Sequence, residues 1–113
     1  MKGNPIPTAV RLAVDERDRR QCMRCGANGR EIHHRMRRRD AGHPLSGCVL
    51  LCLSDHRWVH AHPTEAKETG FIVPPWGDLL TMPVKTYRGW LLLDDTGTYT
   101  FTDAPQPSEA ETR

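Results

Sequence analysis

The chain has 113 residues, of which 37% are hydrophobic and 6% aromatic, and Lys and Arg exceed Asp and Glu by two. That is one small domain, near the size at which a single core is only just sufficient, and no stretch approaches the ~18 apolar residues of a membrane span. With no apolar signal run after Met1, the expected setting is a reducing cytoplasm, where Cys22, Cys25, Cys48 and Cys52 serve better as metal-bound thiolates than as disulfides.

The charge is unevenly spread. Residues 1–60 carry twelve Lys and Arg against six Asp and Glu, whereas residues 61–113 carry four against eight. The basic half also holds all four cysteines and five of the six histidines. A one-sided basic surface suits a polyanion, most simply nucleic acid.

In chain order, residues 1–7 contain two prolines and a glycine and read as a loose lead-in. From Thr8 to Gln21 a short helix is expected, with Thr8 as its cap and its basic side outward. Cys22-Met23-Arg24-Cys25-Gly26 follows. Two cysteines two residues apart, closed by a glycine, form a knuckle that points both sulfurs at one ion. Cys52-Leu53-Ser54-Asp55 has the spacing of a second half, with Asp55 in the last place. Asp55 is the first choice for the fourth ligand; His43 and Cys48 are rivals.

Glu31 to His34 is a candidate strand. Gly42, Pro44 and Gly47 mark residues 35–47 as a loop. CVLLCL, residues 48–53, suits a buried strand. Ser54 or Asp55 can cap a helix that carries His56 and His60, whose four-residue step puts both imidazoles on one face. Pro63 fits the first turn of another short helix, with Gly70 past its end. Strand, loop, strand and helix in this order bring His33-His34 and the helical pair to one point. Adjacent strand residues face opposite ways, so a bend is expected if His33 and His34 act together.

Beyond Gly70, Phe71-Ile72-Val73 ends at Pro74-Pro75, and residues 83–86 suit an edge strand. GWLLL and TYTFT around an Asp- and Gly-rich turn make a hairpin. His43 and His62 read as loop residues and Trp58 as core. Any one histidine reads as an ordinary surface or core residue, but four at this spacing, two between the halves of a knuckle and two directly after the second half, read as a metal site.

Three motifs, RDRRQCMRCG, EIHHR and LLCLSDHRWVH, together spanning residues 17 to 62, resemble the HNH endonucleases of the ββα-metal class. The segment PVKTYRGWLLLDDTG is similar to the ending of small HNH proteins encoded by tailed phages of actinobacteria. The resemblance implies an α+β fold: a small ββα-metal nuclease core with a zinc knuckle, preceded by a short helix and followed by a C-terminal β-hairpin. Together with composition and pattern along the chain, it gives a lead-in (1–7), the HNH domain (8–70), an accessory β segment (71–102) and a Pro-, Ser- and Glu-rich tail expected to be disordered (103–113).

By the same resemblance His34 is the general base, and His33, His56 and His60 hold a divalent catalytic metal (Mg, Mn, Ni or Zn). Cys22, Cys25, Cys52 and Asp55 hold structural zinc, with Asp55 where the family usually has cysteine. The implied activity is DNA endonuclease or nickase on double-stranded DNA, beside a terminase in the host cytoplasm if the chain is phage-encoded. Arg35, Arg37, Arg38 and Arg39 are expected phosphate contacts, which position without reading sequence. Gly47 stands where the family's asparagine braces the loop. That departure keeps a second expectation open, a zinc-stapled nucleic-acid-binding module with weak or no catalysis, and a zinc-stabilised protein-interaction domain is a third.

Overall fold

The structure, a computed structural model, describes residues 5–105. Residues 1–4 of the expected lead-in and residues 106–113 of the expected disordered tail lie outside them. The described chain is α+β. The first helix, α1, spans Thr8–Asp18. Pro7 rather than Thr8 takes the N-cap position, with no side-chain cap. The helix stops short of Gln21 because Arg19 and Arg20 both turn left-handed, at φ 56° and 57°, which a helix cannot continue through. Nor does its basic side lie wholly outward. Arg17 is buried; its guanidinium pairs with Asp18 at 2.7 Å and donates to the carbonyls of Leu45, at 2.7 Å, and Cys48. Asp18 in turn accepts from the Leu50 amide at 2.9 Å, so the pair clamps α1 onto the neighbouring strand.

That strand, β2, is Cys48–Leu51, and it pairs antiparallel with β1, Glu31–His34, in the register His33 to Val49 and His34 to Cys48. All four β2 residues are buried. Alternation sends Cys48 and Leu50 towards Val14 of α1 and Ile32. Val49 and Leu51 go to the opposite face, into the main core with Cys22, Met23, Val59, Ala66 and Phe71. A strand covered on both faces reads as an unbroken apolar run, which is why CVLL carries no polar alternation.

The expected strand is shorter than residues 48–53, because Cys52 becomes a helix cap and Leu53 begins α3, Leu53–Ala61. Neither Ser54 nor Asp55 is the cap. The Cys52 sulfur accepts the Asp55 amide hydrogen at 3.4 Å, serving one of the free donors of the first turn. After His62, α4 (Pro63–Glu68) begins on Pro63, as expected. The stretch 35–47 is not a plain loop: it holds a short helix, α2 (Arg38–Ala41), and a 3-10 turn, Leu45–Gly47.

The rest forms a second sheet of β3 (Val84–Thr86), β4 (Gly89–Leu93) and β5 (Tyr99–Thr102), antiparallel in that order. Val84, Leu91 and Leu93 enter the same core cluster as Val49, Leu51 and Val59. In the turn of the hairpin, Asp94 accepts from the amides of Thr96 and Thr98, the local bonding that makes Asp a turn residue. Among the described residues no helix is long and apolar enough to cross a membrane.

Candidate metal centres

Two clusters of ligating side chains lie among the described residues, and α3 contributes to both. The first is Cys22, Cys25, Cys52 and Asp55, and it can hold a metal ion: one donor atom from each lies within 4.8 Å of the others. The knuckle is shaped by the Gly26 amide donating to the Cys22 carbonyl at 2.7 Å and the Cys22 amide donating to that of Ala27 at 2.6 Å. Gly26 is left-handed (φ 83°), and a Cβ there would sit 3.0 Å from the Tyr87 ring, so glycine suits both the turn and the packing. All four cysteines are free thiols.

The spacing fits the ion that the donors imply. Tetrahedral zinc with Zn–S near 2.3 Å separates two sulfurs by about 3.8 Å, and Cys25 Sγ lies 3.9 Å from Cys52 Sγ. Cys22 Sγ lies 3.1 Å from Oδ2 of Asp55, whose other oxygen, Oδ1, takes a 2.7 Å bond from Arg24. The Arg24 guanidinium also stacks 3.6 Å above the Trp58 ring. Asp55 is thus divided, one oxygen towards the thiols and one held by a cation. Burial pushes the Cys22 thiol up to about 12, so an ion entering this site displaces a tightly held proton. The rivals for the fourth position lie elsewhere: Cys48 is packed in the α1 cluster, and His43 is bonded to His34.

The second cluster is His33, His56 and His60, again with donor atoms within 4.8 Å of one another. The His33 ring centroid is 5.3 Å from that of His56 and 5.8 Å from that of His60. His56 and His60, one helical turn apart, are 5.1 Å from each other. Two hydrogen bonds fix which nitrogens face inward. His33 Nε2 lies 2.6 Å from the Phe71 carbonyl; a carbonyl only accepts, so Nε2 carries the hydrogen and Nδ1 is the free donor. His56 Nδ1 donates to the Glu31 carboxylate at 2.8 Å, leaving Nε2. Such outer partners orient metal-binding imidazoles and raise their basicity. Burial draws the His33 imidazole down to about 4, against the pull of the Phe71 carbonyl, so it is neutral and able to ligate at pH 7.

His34, the last residue of β1, has the opposite strand parity to His33. Its Nε2 is 2.9 Å from Nδ1 of His43. The same cleft is nevertheless lined by His33, His34 and His60, because β1 ends there. Burial, then the charge of Arg38, holds His34 down to about 4.

Among the expected phosphate contacts, Arg35 is a correction. It is 1% exposed, and its guanidinium donates to the carbonyls of Gly70, Ser46 and Met82 at 2.7, 2.7 and 2.6 Å. It staples three segments and has no nitrogen to spare for a phosphate. Arg37, Arg38 and Arg39 are exposed on and beside α2. The loop is braced without asparagine: Ser46 is held through its backbone, its carbonyl by Arg35 and its amide by Asp95 Oδ1 at 2.9 Å. A Cβ on Gly47 would lie 2.9 Å from Leu79 and 3.2 Å from Pro44, so this position has closed around glycine.

Sequence reasoning missed Glu31, His43 and Arg24. Glu31 was accessible, for two residues before His33 on a strand means the same face. His43 and Arg24 act across the fold, and nothing local marks them. No protein-family model, no curated protein and no solved structure matches the chain.

Proposed function

We propose that the chain is a metal-dependent DNA endonuclease or nickase of the HNH type, built on a ββα-metal core of β1, β2 and α3. The observation that carries the reading is the convergence of His33, His56 and His60, with donor atoms within 4.8 Å, two of which, His33 and His60, line a cleft together with His34. Three imidazoles leave coordination positions for substrate, as a reactive site requires. His33, His56 and His60 would hold a divalent ion, which would supply Lewis-acid stabilisation of the charge that builds up on the phosphate. Imidazole donors suit a transition metal at least as well as magnesium.

The chain's own groups do the rest. His34 takes the proton from the attacking water through Nδ1, since Nε2 faces His43. That role needs the tautomer in which Nε2 of His34 donates and Nδ1 of His43 accepts. A neutral His34 at pH 7 is the form that a base requires. Phe71 and Glu31 hold His33 and His56 in their ligating tautomers. Arg37, Arg38 and Arg39 contact phosphates and set the strand over the cleft. Cys22, Cys25, Cys52 and Asp55 would hold zinc, and through Cys52 and Asp55 that site would fix the start of α3, and with it His56. The implied partner is double-stranded DNA, with a terminase if the chain serves a phage.

The test is plasmid cleavage by the zinc-loaded chain with added Mg²⁺, Mn²⁺, Ni²⁺ or Zn²⁺. Nicked or linear product is expected, with a loss of 10²-fold or more in His34→Ala. Cleavage that survives His34→Ala removes His34 from the role. The second reading, a zinc-stapled binding module, is favoured by Gly47; it predicts salt-dependent DNA binding and no product in any metal.

A further inference from the structure

We infer that the histidine cleft is completed by a nucleobase platform, Trp76, so that the double-stranded DNA it cuts is cut where a base beside the reacting phosphate is locally unpaired and unstacked. This rests on the nuclease reading and names its substrate class. Trp76 is 86% exposed, the most exposed large hydrophobic side chain among the described residues. It lines the same cleft of about 480 Å³ as His33, His34 and His60.

The ring is held out by a rigid turn. Pro74-Pro75-Trp76-Gly77 closes with the Gly77 amide on the Pro74 carbonyl at 2.8 Å, and both prolines have fixed φ. A Cβ on Gly77 would lie 2.7 Å from Val73, so the turn packs down on a buried residue while Trp76 points away. The Val73 amide donates to the Arg35 carbonyl at 2.7 Å. The platform is thereby anchored to the residue that follows His34. Trp76 makes no ring contact with any described residue.

Charge complementarity points to a nucleic-acid strand as the occupant. Arg37 and Lys67 line the same cleft and both are exposed; Asp40 lines it too and pairs with Arg37 at 3.7 Å, so Lys67 is the exposed cation there without a carboxylate bridge among the described residues. A second cleft, which His56 lines, holds Arg11, Arg30 and Arg38 with Glu31. Cations in both clefts that the imidazoles line, with an exposed aromatic face in one of them, combine charge with a stacking platform, the pairing that holds single strands independently of sequence. A base inside a duplex already stacks on its neighbours, so its face cannot reach Trp76 until it is unpaired.

The test uses the full chain loaded with one equivalent of zinc and no other divalent ion. Its probe is a single-stranded DNA octamer carrying 2-aminopurine, and the comparison is a blunt duplex of the same sequence. Binding should quench the 2-aminopurine fluorescence. Trp76→Ala should weaken it about tenfold or more, while Trp76→Phe stays within about threefold. Both variants fold, since the ring is outside the core. The duplex should bind without regard to residue 76. Equal octamer binding by the wild type and Trp76→Ala overturns the inference, as does duplex binding with the same Trp76 dependence. Trp76-dependent binding in a chain that cuts nothing keeps the platform and removes the nuclease reading. Cleavage that requires His34 but ignores Trp76 does the reverse.

Discussion

Single hydrogen bonds decide what the histidines offer. The Glu31 carboxylate holds the His56 ring by Nδ1, and losing an outer partner of this kind typically costs 10- to 100-fold in metal affinity. Glu31→Ala should therefore weaken Co²⁺ or Mn²⁺ binding at the histidines by about that factor, followed calorimetrically in zinc-loaded protein, and leave the cysteine site unchanged. An unaltered affinity would remove Glu31 from the site. His33 makes a second prediction. Its folded value near 4 lies below the ordinary 6.5 because it is buried. Between those values the unfolded chain takes up a proton that the folded chain refuses, so stability falls as pH drops from 6.5 to 4 and is unaffected above that window. The loss is on the order of 3 kcal/mol. It appears as the pH-dependent difference in urea stability between the wild type and His33→Phe, which has nothing to protonate. A difference that stays constant over the window would contradict the assignment.

At the scale of the elements, residue type and spacing went far. Both members of the first strand pair, the helix with His56 and His60, Pro63 opening α4 and the late hairpin all follow from apolar pattern and turn residues. The two clusters that could hold a metal ion bring together residues that knuckle spacing and helical periodicity, both local, already marked. What escaped depends on tertiary partners. Cys52 caps α3 because its sulfur already sits at the end of β2, and Arg35 is buried because three carbonyls from distant segments meet there. Reading Arg35 with its exposed neighbours treated a run of arginines as one surface, whereas strand parity turns it inward. Gly70 shows how closely the elements interlock. It is left-handed at φ 82°, and a Cβ there would lie 2.0 Å from the Pro83 carbonyl. Gly70→Ala must displace the chain entering β3 and disturb a carbonyl that Arg35 uses. A loss of about 3 kcal/mol is expected, a fall in Tm of roughly 12 °C or more by differential scanning calorimetry. A change under about 1 kcal/mol would show that β3 yields freely.

Across the whole molecule, the two sheets and α3 meet in one core, and the cysteine cluster lies where they join. Met23, inside the knuckle, donates its amide to the Leu50 carbonyl and accepts from the Tyr87 amide, at 2.8 and 3.0 Å. The knuckle therefore ties β2 to the later sheet. With a core this modest, a bound ion supplies stability that apolar burial does not. A strong chelator should lower Tm by more than about 10 °C, with cooperative loss of helical circular dichroism that zinc restores. An unchanged melting curve would mean the cluster is no staple.

The three carbonyls around Arg35 have a consequence for how the chain finds its fold. The doublet His33-His34 invites an error, since pairing β1 with β2 one residue out would keep a ladder and still offer an imidazole to α3, merely the wrong one. Arg35 has no such understudy. Slipped by one, its guanidinium would be ejected to solvent, and the backbones of Ser46, Gly70 and Met82 would be left without donors. The arginine acts as a proofreader of alignment: it rejects the one misreading that the histidines alone would let pass.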